Sequence, residues 1–245
     1  LPFAIPSRTT VALGRRDDDR IRVTSTFADG AIEVAIADLA TIFPTTGDLA
    51  VPEWAAYPLG VAWALLEAFP STTTHGVDIA IASAVPVGAG LSSSAAIECA
   101  TAVALNDEWS IGADRVAMAV AGRRAENEAV GAPTGIMDQM SVMLGAVDAA
   151  IFLDCRTLQT QTVELGFDAA GLELVVIDTG VKHAHATGGY GDRRASCERG
   201  AAALGVTALR DVSVDDLERA SALLDDETFR RVRHIVTENQ RVLDT

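Results

Sequence analysis

The sequence predicts an α+β fold in two domains, and three observations lead there. The early segments are rich in β-branched residues and separated by polar turns. A period-two stretch, Val77-Asp-Ile-Ala-Ile, runs directly into a loop of glycines and serines. Helical patterns then follow without the regular strand–helix alternation of a doubly wound sheet. A boundary near residue 150 is expected, dividing 1–149 from 150–245.

The elements follow in chain order. Thr9–Leu13, Ile21–Phe27 and Ala31–Ile36 read as strands, punctuated by Arg-Arg-Asp-Asp-Asp and Asp-Gly turns. Trp54 to Phe69 carries apolar residues at helical spacing. After the strand at Val77, Ser92 to Leu105 is an Ala-rich helix whose first-turn serines are suited to cap it. Ala113 to Val130 and Gly135 to Leu144 read as two further helices. Strands are expected at Ala150–Asp154, Thr162–Leu165 and Leu172–Asp178, and helices at Tyr190–Leu204, Val214–Leu224 and from Thr228 onward.

Hydrophobic residues make up 49% of the chain and charged residues 22%, enough to bury a full core. The net charge of −15 argues against nucleic acid and anionic membrane surfaces as partners, since both select basic patches. It leaves ATP open, because a local site of backbone N–H groups and a metal ion can hold an anion on an acidic protein. Cys99, Cys155 and Cys197 stand far apart with no C-x-x-C pair, which points to free thiols and a reducing, cytoplasmic setting. No apolar run has the length of a membrane-spanning helix.

Chemistry concentrates in two places. In Pro86-Val-Gly-Ala-Gly-Leu-Ser-Ser-Ser-Ala, Gly88 and Gly90 allow positive φ and close backbone approach to a ligand. The helix that opens at the serines offers unpaired N–H groups and a positive dipole end to phosphate. The lack of a following Gly-Lys-Ser/Thr excludes a P-loop. Two carboxylates, Glu126 in Arg-Arg-Ala-Glu-Asn-Glu and Asp138 in Gly-Ile-Met-Asp-Gln, flank a glycine-proline turn that can fold them to one site. Phosphoryl transfer needs such a pair, one group for the metal and one for the attacking hydroxyl. His183 and His185 alternate without a third nearby ligand and are not taken as a metal site.

The serine loop resembles the P-x-G-x-G-L-S-S-S-A motif of the kinase superfamily containing galactokinase, homoserine kinase, mevalonate kinase and phosphomevalonate kinase (GHMP). The triple serine and Gly135-Ile-Met-Asp-Gln are most similar to the galactokinase branch. The resemblance implies a two-domain GHMP-kinase-like fold, with a mixed-sheet N-terminal domain over 1–149 and part of a C-terminal domain over 150–245. It implies that Gly88, Ala89, Gly90, Leu91, Ser92, Ser93 and Ser94 wrap the ATP phosphates. Ser94 and Glu126 would hold Mg²⁺, and Asp138 would be the base facing a sugar's C1 hydroxyl. Gly135 and Tyr190 would contact the sugar, although Gly188-Gly189 departs from the usual residues before that tyrosine. Trp54-Ala-Ala-Tyr57 is similar to the segment bordering adenine, and the alternative for both aromatics is a place in the core.

The implied partners are ATP and galactose or a similar sugar. A first motif, carrying a Glu-His-Thr-Asp run, is expected upstream of Leu1, and a glycine-rich third motif beyond Thr245. Catalysis is therefore attributed to the complete protein, and the 245 residues alone are expected to be inactive. Two alternatives stand beside a galactose kinase: a 1-kinase for arabinose or N-acetylgalactosamine, and a non-catalytic sensor of ATP and sugar. Oligomeric state is not readable from the sequence.

Overall fold

Alternating apolar residues in the first strands build the sheet that leads into the glycine-serine loop. In the computed structural model, which describes residues 1–86, 88–177 and 189–244, β1 (Thr9–Arg15), β2 (Arg20–Ser25), β3 (Ala31–Ala35) and β4 (Val77–Ser83) form one mixed sheet. The strand order is β1-β4-β2-β3. β4 runs antiparallel to β1, with Thr9 opposite Ser83, and parallel to β2, with Ile21 opposite Val77. Ile21, Val23, Val77, Ile79 and Ile81 are fully buried, while the intervening Arg22, Ala80 and Ala82 are exposed. This is the period of a sheet with one covered face.

α1 (Leu39–Ile42), α2 (Glu53–Ala68), α3 (Ser93–Glu108), α4 (Arg115–Arg124) and α5 (Met137–Leu144) share their core with that sheet. Every residue of α2 from Ala55 to Leu65 is buried, because the helix packs against β2, α3, α4 and the segment after α4. A helix enclosed on all sides carries no polar stripe. Gly60 permits the closest of these approaches: a Cβ there would lie 2.5 Å from Ala129 Cβ and 3.2 Å from Ala125 Cβ.

The helix expected over 113–130 differs at its end. α4 stops at Arg124, and Ala125–Val130 continues as a π-helix. Thr45 lies against this segment, its N–H donating to Glu128 O at 2.8 Å and its hydroxyl to Ala129 O at 2.6 Å. β5 (Ala149–Leu153) and β6 (Thr160–Glu164) form an antiparallel pair, followed by α6 (Phe167–Ala170). The strand expected at Leu172–Asp178 is not formed over 172–177. No described strand offers it a ladder, and its apolar side chains stand exposed.

By its contacts the chain forms two compact units, Leu1–Ala184 and His185–Thr245. β5 and β6 lie in the first unit. The second unit consists of α7 (Gly189–Leu204), α8 (Leu217–Leu223) and α9 (Asp226–Leu243) around Leu204, Leu209, Ala220, Val232 and Val236. Gly200 lets α7 and α9 touch, since a Cβ there would meet Val232 Cγ2 at 2.4 Å. Asp225 caps α9 by accepting from the N–H groups of Glu227 and Thr228. No described helix is long and apolar enough to cross a membrane.

Candidate active site

β4 ends at Ser83 and delivers the chain to the loop at Pro86, whose next residue, Val87, lies outside the described residues. Gly88 and Gly90 have φ of 77° and 74°, left-handed values that other residues adopt only with strain. Ser92 follows with φ 56° and ψ 43°, the same region without a glycine's freedom. The loop therefore makes a tight, locally strained turn into α3.

The serines do not cap α3 as expected; no side-chain bond to its first N–H groups forms at Ser92. Their hydroxyls turn instead to the two carboxylates. Ser92 Oγ donates to Asp138 Oδ2 at 2.7 Å, and Ser94 Oγ donates to Glu126 Oε1 at 2.9 Å. An N-cap side chain accepts from the helix N–H groups out of an extended backbone, and Ser92 is left-handed instead. α3's first-turn N–H groups thus remain without the Ser92 side chain.

Asp138 stands in the first turn of α5 and is half-buried. Glu126 comes from the π-helical segment and is only 4% exposed. Its other oxygen, Oε2, accepts from Thr134 Oγ1 at 2.6 Å and from Gln139 Nε2 at 2.8 Å. Such wide turns recur at functional sites, where they re-aim one side chain out of the regular helical phase. The turn of residues 131–136 folds α5 back so that Asp138 and Glu126 face the same serine loop.

A second layer lies beneath. Gln139 Nε2 also donates to Glu98 Oε2 at 2.8 Å, and both side chains are completely buried. Burial first, then the Glu126 charge, raises the Glu98 carboxyl well above the ordinary range, against a lowering bond from Gln139. Burial likewise raises the Tyr57 phenol, and Glu126, Glu53 and Glu98 push it the same way. Burial also raises the Cys99 thiol, with Glu98 and Glu126 adding to it. Cys99, Cys155 and Cys197 are free thiols.

An open cleft of about 1150 Å³ lies beside the loop, large enough for a small ligand. Gly90, Leu91, Ser92 and Asp138 line it, with Arg8 and Ser141 nearby on its wall. The other expected residues take different places. Tyr57 is buried, and the Trp54 ring meets Phe27 edge-on with centroids 6.4 Å apart; neither lines the cleft. Gly135 is exposed in the turn before α5. Tyr190 is half-exposed in the first turn of α7, in the second unit. His183 and His185 lie outside the described residues.

The Ser94–Glu126 pair also suits Mg²⁺, a hard cation that takes oxygen ligands and completes its shell with water and phosphate rather than an all-protein cage. Among the described residues, no group of three or more His, Cys, Asp or Glu could hold a metal ion. Sequence reasoning overlooked Thr45, Glu98, Thr134 and Gln139. Only Glu98 carried a usable signal: it lies four residues after Ser94, hence on the same helix face, between the apolar Ile97 and Cys99.

Residues 56–146, from within α2 to just past α5, match the GHMP kinases N terminal domain. Over its whole length the chain is similar to galactokinases. The chain is 47% identical to the galactokinase of Streptomyces coelicolor over 99% of its own length and 61% of that relative. It is 40% identical to the galactokinase of Mycobacterium tuberculosis over 100% of its length and 64% of that protein. The solved structure of Lactococcus lactis galactokinase complexed with galactose superimposes with a TM-score of 0.82 at 25% identity, covering 98% of this chain and 61% of that one. The chain thus spans less than two thirds of the length of these relatives.

Proposed function

We propose that the complete protein is a galactokinase, transferring the γ-phosphoryl group of ATP to the C1 hydroxyl of galactose to give galactose 1-phosphate and ADP. The observation that carries this reading is the pairing of Ser92 with Asp138 and of Ser94 with Glu126, which ties one glycine loop to both carboxylates. In the reaction, the Asp138 carboxylate accepts the C1 hydroxyl proton as that oxygen bonds to the γ-phosphorus. The bond from γ-phosphorus to the bridging oxygen breaks, and the electron pair leaves with ADP. A positioned base of this kind contributes about 10²–10⁴ in rate.

The left-handed loop at Gly88 and Gly90, with the N-terminus of α3, cradles the phosphates. Ser94 and Glu126 would hold Mg²⁺, which would supply positive charge to offset the phosphate oxygens. Gly135 contacts the sugar. Residues 1–149 correspond to the N-terminal domain and 150–245 to part of the C-terminal one, in a cytoplasmic enzyme of galactose metabolism.

A coupled ADP-release assay on the full-length protein tests the reading. Galactose should drive ADP release, and arabinose and N-acetylgalactosamine should do so more slowly. Asp138→Asn should keep ATP binding and lose turnover. A different preferred sugar would reassign the substrate, and sugar binding with no ADP release would make the protein a sensor.

A further inference from the structure

Beneath the candidate metal ligand, one amide joins two buried acids. Gln139 Nε2 donates to Glu126 Oε2 and to Glu98 Oε2, each at 2.8 Å, so both of its N–H groups are committed. Its own Oε1 and the Oε1 of Glu98 are buried without a partner. Around them, Gly122 of α4 packs closely. A Cβ there would sit 3.3 Å from both Gln139 Cγ and Glu98 Cβ, closer than most packed contacts. α3, α4 and α5 therefore converge on this buried polar group.

Buried polar groups without partners are costly, and a core that retains them needs a reason. We propose that Gln139, seated on Glu98, is a positioning residue that fixes the Glu126 carboxylate for the metal, an inference that rests on the galactokinase reading. Glu126 Oε1, bonded by Ser94, faces the serine loop, while Oε2 is pinned from behind by Thr134 and Gln139. The carboxylate plane is thereby set before any ligand arrives. Glu98 fixes the amide in turn, because its Oε2 accepts the second N–H and leaves Gln139 one orientation.

The test reads metal binding directly, without turnover. Water-proton relaxation enhancement of the Mn²⁺–ATP complex is followed as full-length protein is added, for wild type, Gln139→Leu, Glu98→Leu and Glu98→Gln. Orienting partners of a metal ligand are worth about 10- to 100-fold in metal affinity. Gln139→Leu and Glu98→Leu should weaken ternary binding by that range. Glu98→Gln should stay within about twofold of wild type, since its carbonyl still accepts from Gln139. Galactose affinity, measured by calorimetry without metal, should remain the same in all four and show that each is folded. If Gln139→Leu does not fold, the two Glu98 variants decide the matter by the same contrast. Equal Mn²⁺–ATP affinity in wild type and the leucine variants overturns the inference, as does a loss in Glu98→Gln equal to that in Glu98→Leu. The galactose-driven ADP assay on the wild type is scored separately, so that failure of the sugar kinase reading shows there and not here.

Discussion

Ser92 donates its hydroxyl to Asp138 Oδ2 at 2.7 Å from a backbone position with φ 56°, a left-handed conformation that costs a serine about 1–2 kcal/mol. Strain of this kind persists where the surroundings over-determine it, and such positions gather at functional sites. Here the turn into α3 also delivers a hydrogen bond to Asp138, the proposed base. Ser92→Ala should therefore lower kcat about tenfold or more, the value of a hydrogen bond to a charged group, while the galactose KM changes little. Steady-state kinetics on the full-length protein measures this. An unchanged kcat would separate Ser92 from the base.

Glu126 receives hydroxyl donors from both sides, Ser94 on Oε1 and Thr134 on Oε2. Thr134→Val keeps the shape and removes one donor. It should raise the Mg²⁺ concentration needed for half-maximal activity by several-fold and leave the KM for galactose alone. Ser94→Ala should do the same and more strongly, since Ser94 would be a ligand as well as a partner. A Mg²⁺ titration of initial rates checks both.

Gly60 is where α2 and the π-helical segment meet, and a methyl group there would overlap Ala129 at 2.5 Å. The neighbours are backbone-near Cβ atoms on two enclosed helices, so they cannot swing aside. Gly60→Ala should destabilise by about 1–3 kcal/mol, the usual cost of overpacking. The shift in urea midpoint measures it. Because the displaced segment carries Glu126, the Mg²⁺ requirement should rise in the same variant.

Glu98 gives stability a pH dependence with a definite sign. Its native carboxyl holds a proton well above the ordinary value of 4.5, whereas the unfolded chain releases it near that value. Above pH 4.5 the unfolded state thus binds fewer protons than the native one, and this group's contribution to stability falls as pH rises. It falls until the native carboxyl itself ionises. Glu98→Gln removes the effect, so its stability relative to wild type should improve between pH 4 and pH 7. The groups that act on Glu98 are Glu126, Gln139 and Asp138. Parallel denaturant titrations at the two pH values check the trend.

The chain's local chemistry was legible where a backbone requirement forces a residue type. Glycines at two left-handed positions, serines at a helix start and an acid beside a glycine-proline turn identified the loop and both carboxylates. The strands of the first sheet were legible because one face is buried and the other exposed, which writes a period of two into the residues. What stayed hidden depends on distant partners. Nothing local marks Arg124 as the end of α4; the change to a π-helix is accompanied by Thr45, far away in sequence, bonding the segment's carbonyls. The serines were assigned to capping because the carboxylates that take their hydroxyls come from other elements. Leu172–Ile177 has a strand's composition, but a strand also needs a neighbour, and no described one pairs with it. Glu98 read as one more charge on a helix until the fold enclosed it.

The structure of the full-length protein with galactose, Mg²⁺ and a non-hydrolysable ATP analogue tests the central claim most directly. The account predicts the terminal phosphate against the loop from Gly88 to Ser94, and the sugar's C1 oxygen within about 3 Å of an Asp138 carboxylate oxygen. A sugar bound with its C1 oxygen away from Asp138, or a nucleotide whose phosphates avoid that loop, would contradict it.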